Sequence, residues 1–213
     1  MKITLPEHIG EITLGQYQQY YKLLMRTDLS EVNFNRRKIA IFTELNRKDV
    51  AKIKQKDYNY ILDQIDKALN LTPKFQQRFK IGDVEFGMIP NFDNMLNDAY
   101  SNTFLYPILE EKNGEVIEKW DNMHLLMAIL CRPVTNEDKF GNYKIAEYNN
   151  TAEYGEFMKQ MPMVYVNGVL GFFYNLAKEL KMTIQKYTIQ ALVKERKRQT
   201  ISVSGDGLRQ SQN

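Results

Sequence analysis

Two histidines and one cysteine, His8, His124 and Cys131, are the side chains of this 213-residue chain best suited to nucleophilic or zinc chemistry. A zinc site needs about four clustered Cys, His or carboxylate ligands, and the sequence holds no such spacing. His124 and Cys131 stand seven residues apart. On a helix that is two turns, about 10 Å, beyond the hydrogen-bond reach that a Cys–His pair requires. A packed histidine and a buried thiol are the expectation. Asp63 with Asp66 and Glu110 with Glu111 are paired carboxylates of the kind used in acid–base or metal work. Solvated faces are the simpler reading of both. Ser204-Gly205-Asp206-Gly207 is glycine-rich, but no strand precedes it as a phosphate loop requires. No catalytic residue, cofactor or metal is expected, and the chain reads as a non-enzyme.

Charged and aromatic residues offer contacts instead. Lys194, Arg196, Lys197 and Arg198 cluster near the C-terminus, with Arg209 beyond them. Cations at a helix C-terminus favour the dipole, and the same residues offer a nucleic-acid or acidic-partner contact. Tyr17, Tyr20 and Tyr21 cluster on one helix. Tyrosine joins a large apolar area to a polar tip, which suits a protein interface and equally a core with wet edges. Ten methionines fit adaptable packing in either setting.

The bulk composition bounds the answer. Hydrophobic residues at 43%, with 12% aromatic, are enough for a real core. Lys+Arg 29 against Asp+Glu 26 leaves only +3, too balanced to imply nucleic acid by itself. A lone cysteine permits no intrachain disulfide, so a reducing compartment is the simplest setting. Met1 to Pro6 lacks the apolar core of a signal peptide. No run of about 18 apolar residues predicts a membrane span.

The elements follow from period and punctuation. Thr13 caps a helix to about Met25, with Leu14, Tyr17, Tyr21 and Leu24 on one face. A second helix covers Asn33 to Leu45, with Ile39, Phe42 and Leu45 inward and Arg36, Arg37 and Lys38 on other faces. A short helix starts near Lys48. Asp57 to Leu69 carries the stripe Tyr58, Ile61, Leu62, Ile65 and Leu69. Residues 75–88 read as a hairpin turning at Gly82-Asp83. A helix is expected over Asn94 to Leu109, and Asn113-Gly114 signals a turn. The most apolar short helix, Trp120 to Leu130, is stopped by Arg132-Pro133. A second hairpin is expected near 134–148, its return strand at Tyr143 to Tyr148. Thr151 caps a helix to Gln160, and Pro162 opens the next, running through Phe172, Phe173, Leu176 and Leu180. A last helix covers Thr183 to Arg198. The fold class is mainly α with one or two small β-hairpins. It forms a single compact helical domain over 1–199, followed by a flexible basic tail at 200–213. Trp120, Leu126, Ile129, Phe172 and Phe173 are assigned to the core. Arg132 is assigned to the end of its helix, its fork bonding carbonyls or a carboxylate of the hairpin that follows.

One set of short elements looks familiar in its order and spacing. It comprises Gly87-Met88-Ile89-Pro90-Asn91-Phe92-Asp93, Trp120 with His124, and Met127-Ala128 with Leu130, Arg132 and Pro133. Tyr143, Ile145 and Tyr148, Met161-Pro162 and Phe172-Phe173 complete it. Across residues 85–180 this resembles small helical proteins of the structural gene modules of tailed bacteriophages, crAss-like and related phages. Cys131 stands where those proteins usually carry a tyrosine. The resemblance implies a non-enzymatic virion protein, in a ring of the head–tail connector, collar or tail region, made in the host bacterial cytoplasm. Its implied partners are the portal, neighbouring ring or tail proteins, and further copies of itself, with nucleic acid a weaker candidate and no membrane. The alternatives are a tail or head assembly chaperone absent from the finished particle, and capsid cargo or a DNA-contacting accessory protein. The nucleic-acid reading makes its own prediction. Replacing Lys194, Arg196, Lys197 and Arg198 by Ala weakens retention on DNA and flattens its salt dependence. Retention that is unchanged at every salt concentration removes that reading.

Overall fold

The computed structural model describes residues 3–70, 76–90, 109–112, 115–150 and 154–172, with the backbone alone for 109–112 and 115–118. The chain divides into two compact units, Met1–Val169 and Leu170–Asn213, and only residues 170–172 of the second are described. The architecture is mainly α with a small antiparallel sheet. The helix expected at Asn94 to Leu109 lies outside the described residues except for Leu109, which is in a strand, and the helix expected at Thr183 to Arg198 and the 200–213 tail lie wholly outside them.

Helix α1 (Leu14–Leu24) begins at a capping box. The Thr13 hydroxyl accepts from the Gln16 N–H at 3.2 Å, and the Gln16 carboxamide accepts from the Thr13 N–H at 3.0 Å. Its buried residues are Leu14, Gln18 and Leu23. Leu24, expected on the inner face, is exposed. The face is rotated because Gln18 finds polar partners inside. Ser30 caps α2 (Glu31–Thr43), which ends at Glu44 in the left-handed region. Lys38, expected on a polar face, is instead buried. It is ion-paired to Asp66, and its ammonium lies 5.7 Å from the centre of the Tyr20 ring. The pair ties α2 to α4 (Gln55–Leu69), whose residues Ile61, Ile65 and Ala68 face inward. The short α3 (Arg47–Val50) is capped by Asn46.

Four strands form one antiparallel sheet in the order β1-β2-β5-β6. The first hairpin pairs β1 (Arg78–Ile81) with β2 (Val84–Met88) about Gly82, whose φ of 57° suits glycine. A separate ribbon pairs β3 (Leu109–Lys112) with β4 (Glu115–Glu118), flanking the Asn113-Gly114 signal. The buried helix α5 (Met123–Leu130) runs straight into β5 (Cys131–Glu137). This corrects the reading of Arg132-Pro133 as a helix stop. The helix is already over at Leu130, because the Leu130 carbonyl accepts from the Ile89 N–H at 2.8 Å and the chain joins the sheet there. Pro133 lies within β5 opposite Phe86, next to an irregularity in the pairing at Val134 and Asn136. Strand β6 (Tyr143–Ile145) closes the sheet. Trp120, expected inside the helix, precedes it and is buried. The helix expected from Thr151 to Gln160 is, where described, a turn followed by the 3-10 helix Phe157–Gln160.

The final described helix, α6 (residues 163–172), starts after Pro162 as expected. Its start is joined to the start of α1. The Leu14 N–H donates to the Met161 carbonyl and the Met163 N–H to the Ile12 carbonyl, each at 2.8 Å. Each helix thereby satisfies one orphan donor of the other. Ile12, Leu14, Met161 and Met163 are fully buried around this bridge.

The two faces of the sheet differ. On one, Phe79 stacks on Phe86 across the hairpin with centroids 5.7 Å apart. Phe86 meets Phe157 at 5.6 Å, and Phe79 meets Tyr165 at 5.0 Å. On the other, Arg78, Gly87 and Arg132 stand in register across β1, β2 and β5. Tyr143 reaches across this face from β6, and its hydroxyl donates to the Met88 carbonyl at 2.7 Å. A Cβ at Gly87 would lie 2.4 Å from the Tyr143 ring, so only glycine fits beneath it. Gly87→Ala should lower unfolding free energy by about 1–3 kcal/mol through overpacking. The cost should shrink in a Tyr143→Ala background. Urea unfolding of the four variants checks this, and an equal cost in both backgrounds contradicts it.

Candidate functional site

The densest buried polar cluster among the described residues sits where α1, α5 and the Phe157–Gln160 turn meet. Gln18 is on the inner face of α1 and His124 on the first turn of α5. The Gln18 carboxamide nitrogen donates to the Trp120 carbonyl at 2.6 Å and lies 3.1 Å from both the Asp121 carbonyl and His124 Nδ1. His124 is only 8% exposed. Its Nε2 lies 3.7 Å from a Glu156 carboxylate oxygen. Glu156 is itself held by Lys159, whose ammonium donates to both its oxygens at 2.8 Å. Lys22 pairs with Asp121 at 2.9 Å on the outer rim. Burial first, then the Lys159 charge, pushes the His124 pKa below its ordinary value, against the pull of Glu156. The imidazole, neutral at pH 7, bonds Gln18 of α1 and lies beside Glu156 at the start of the Phe157–Gln160 turn.

Cys131 is fully buried at the start of β5, and burial pushes its thiol up to about 12. It is a thiol at neutral pH, not a nucleophile. His8, the other histidine, is exposed and accepts a hydrogen bond from the Gly10 N–H at 3.2 Å. Asp63 and Asp66 are not a chemical pair, since Asp63 binds Lys67 at 2.7 Å and Asp66 binds Lys38. Among the described residues no three His, Cys, Asp or Glu side chains gather as a metal site would require. No described helix is long and apolar enough to cross a membrane.

The three tyrosines singled out on α1 pack within the molecule. Tyr17 and Tyr21 lie against Trp120, with centroids 4.5 and 6.1 Å away. Tyr20 meets Phe42 at 5.3 Å and Phe34 at 6.5 Å on α2. All three are half-buried. Arg132 does not act as a helix anchor bonded to the hairpin. It is buried in β5, its guanidinium 5.8 Å from the centre of the Tyr148 ring, and its Nε has no hydrogen-bond partner among the described residues. Leu126 and Ile129 are core, as assigned. Phe172 is not: it is 39% exposed, because it lies off the α6 stripe of Met163, Val166, Val169 and Leu170. Phe173, Lys194, Arg196, Lys197, Arg198 and Arg209 lie outside the described residues.

Sequence reasoning missed a second feature, a groove of about 470 Å³ between α1 and α2. It is lined by the cations Lys22, Arg26, Arg37 and Arg47 and by the apolar Leu23, Ala40, Ile41 and Leu45. Arg26 is taken by Asp28. Arg37 loses some proton affinity through burial and through the neighbouring charges of Arg47 and Arg26. The i, i+3, i+4, i+7 spacing of Gln19, Lys22, Leu23 and Arg26 was the available signal, and it was hidden because Arg26 lies past the apolar stripe.

The buried cluster sets a pH dependence with a definite sign. The unfolded chain binds a proton at His124 more readily than the folded chain does. Stability supplied here is fully present above the ordinary histidine range, about 6.5, and is lost as pH falls through the lowered folded value. Urea midpoints measured between pH 5 and 8 should fall toward acid, and His124→Gln should flatten that fall. A slope the substitution leaves intact would assign it elsewhere. Compared with family models, curated proteins and solved structures, the chain matches none.

Proposed function

We propose that this chain is a non-enzymatic structural protein of a tailed-bacteriophage particle, a subunit of a ring in the head–tail connector, collar or tail region. One observation carries the reading beyond the resemblance itself. Most of the described residues that carry the resemblance are framework residues, with Phe172 and Pro90 exposed. Met88, Ile89, Trp120, Met127, Leu130 and Met161 are buried. Tyr143 clamps β2 through the Met88 carbonyl, and Arg132 lies over Tyr148. These residues thus form a scaffold that holds surfaces in place, with the one thiol sealed inside. A scaffold with chemically quiet interior groups suits repeated protein–protein contact.

The test is quantitative mass spectrometry of purified particles, scaled to the portal protein. About one or a few copies per portal subunit is the expected result. Absence from particles, with presence in infected-cell lysate, overturns the virion reading in favour of an assembly chaperone. Large, irregular copy numbers overturn the ring in favour of cargo.

A further inference from the structure

Positive charge is concentrated in one part of the chain. Residues 22–56 hold ten Lys and Arg against four Asp and Glu, a balance of +6, whereas the whole chain carries +3. That stretch covers the end of α1, all of α2 and α3, and the first two residues of α4. Of its ten cations only Lys38 is buried, held by Asp66. The near-neutral total therefore hides a basic surface, and a concentrated basic surface is what attracts a phosphate polymer.

The groove between α1 and α2 lies within this region, and four of the cations, Lys22, Arg26, Arg37 and Arg47, line it. Two of them are answered. Arg26 donates to both oxygens of Asp28, at 2.9 and 2.5 Å. Lys22 pairs with Asp121 at 2.9 Å, where both side chains stand mostly in solvent. Arg37 and Arg47 have no carboxylate within ion-pair distance among the described residues. Asp28 does pull on Arg37, but partial burial and the charges of Arg47 and Arg26 outweigh it. The groove thus holds two guanidinium groups that repel each other, one of them half-buried, and an anion between them relieves both costs. Beside them Leu23, Ala40, Ile41 and Leu45 give an apolar lining, and Gln19 adds a carboxamide. The space, about 470 Å³, is large enough for a flat organic group as well as an anion, since small-ligand sites run from about 300 to 1,000 Å³. Guanidinium forks bond phosphate oxygens in pairs and stack their planes on bases. In a duplex the bases are hidden behind the phosphates, so an apolar lining beside cations suits a single strand, whose bases can turn outward.

We propose that the groove between α1 and α2 binds single-stranded nucleic acid, with backbone phosphates on Arg37 and Arg47 and a base against Leu23, Ala40, Ile41 and Leu45. The other exposed cations of residues 22–56 add attraction at longer range. The site is distinct in sequence from the cluster Lys194 to Arg198, and it does not rest on the virion reading. Binding of this kind reads phosphate charge and base faces, so it should be weak, with a Kd of about 1–100 micromolar at physiological salt, and tolerant of sequence.

Fluorescence anisotropy of a labelled single strand of about 20 nucleotides, longer than the ~4–16 that a small domain covers, reads the site when the full chain is titrated between about 50 and 200 mM salt. The Arg37→Gln/Arg47→Gln variant should bind about tenfold more weakly, and its plot of log affinity against log salt should be shallower by about 1.4, two phosphate contacts on a single strand. Glutamine keeps part of each stem, and circular dichroism checks that the variant folds. An abasic strand of the same length should bind at least about fivefold more weakly, the loss of one stacked base, and a duplex of the same length should also bind more weakly than the single strand. A wild type that does not bind at the lowest salt overturns the proposal. So does a variant that binds as the wild type does. If the strand is instead lost on replacing Lys194, Arg196, Lys197 and Arg198 by Ala, the contact belongs to the C-terminal cluster. A duplex or an abasic strand held as tightly as the single strand removes the base from the groove, and the proposal falls. It also falls if polyglutamate displaces the strand as well as unlabelled strand does, because the groove then takes any acidic chain.

Discussion

The fold hangs on a reciprocal exchange of two backbone hydrogen bonds. Any helix begins with donors that its own carbonyls cannot reach. Here the segments leading into α1 and α6 lie antiparallel across Thr13 and Pro162, and each supplies the carbonyl that the other helix needs. Left unmade in so dry a place, each donor would cost about 1–3 kcal/mol. Proline at 162 has no N–H to satisfy, so it fits the bridge at no such cost. From this joint α1 is aimed so that Gln18 meets His124 and the tyrosines meet Trp120.

The same joint explains how a helical layer and a sheet share one core. Helix α5 lies between them and is buried along nearly its whole length, so it can present no polar face. Its ends carry the polar demands instead. At the first turn Gln18 bonds the carbonyls of Trp120 and Asp121. At the last turn the sheet accepts the chain directly, through Ile89 and Leu130. The sheet then separates two kinds of packing, phenylalanine stacking on one face and an arginine–tyrosine layer on the other. Arg78 is matched in that layer by Glu137 at 2.7 Å, whereas Arg132 has an aromatic ring beneath it and, among the described residues, no carboxylate partner. A buried guanidinium without a carboxylate is a standing energetic cost, retained here within the framework.

Local features were legible in the sequence and non-local ones were not. The Thr13 cap, the α4 stripe, the Gly82 turn and the start of α6 at Pro162 rest on interactions within a few residues, which residue type and period encode directly. The union of two hairpins into one sheet depends on β2 finding β5, and no spacing records that. Pro133 misled because proline ends helices far more often than it sits inside a sheet. Gln18 and Lys38 look like surface residues by type. Their burial depends on partners contributed by other elements, Trp120, His124 and Asp66. By type the tyrosines of α1 suit either a protein interface or a core with wet edges, and their described ring neighbours lie within the same chain.

The joint between Thr13 and Pro162 also dictates an order of events during synthesis. These two residues lie near opposite ends of the first unit. A ribosome adds about 5–20 residues per second, so the start of α1 emerges about 7–30 seconds before the carbonyl that completes it. Until then Ile12 and Leu14 have no permanent cover, and the early helices can form only provisionally. Loop closure over so long a span is slow and rewards the chain only at the end. The nascent chain therefore passes through a window in which its apolar N-terminal segment is open to whatever else is nearby, and the last described helix shuts that window.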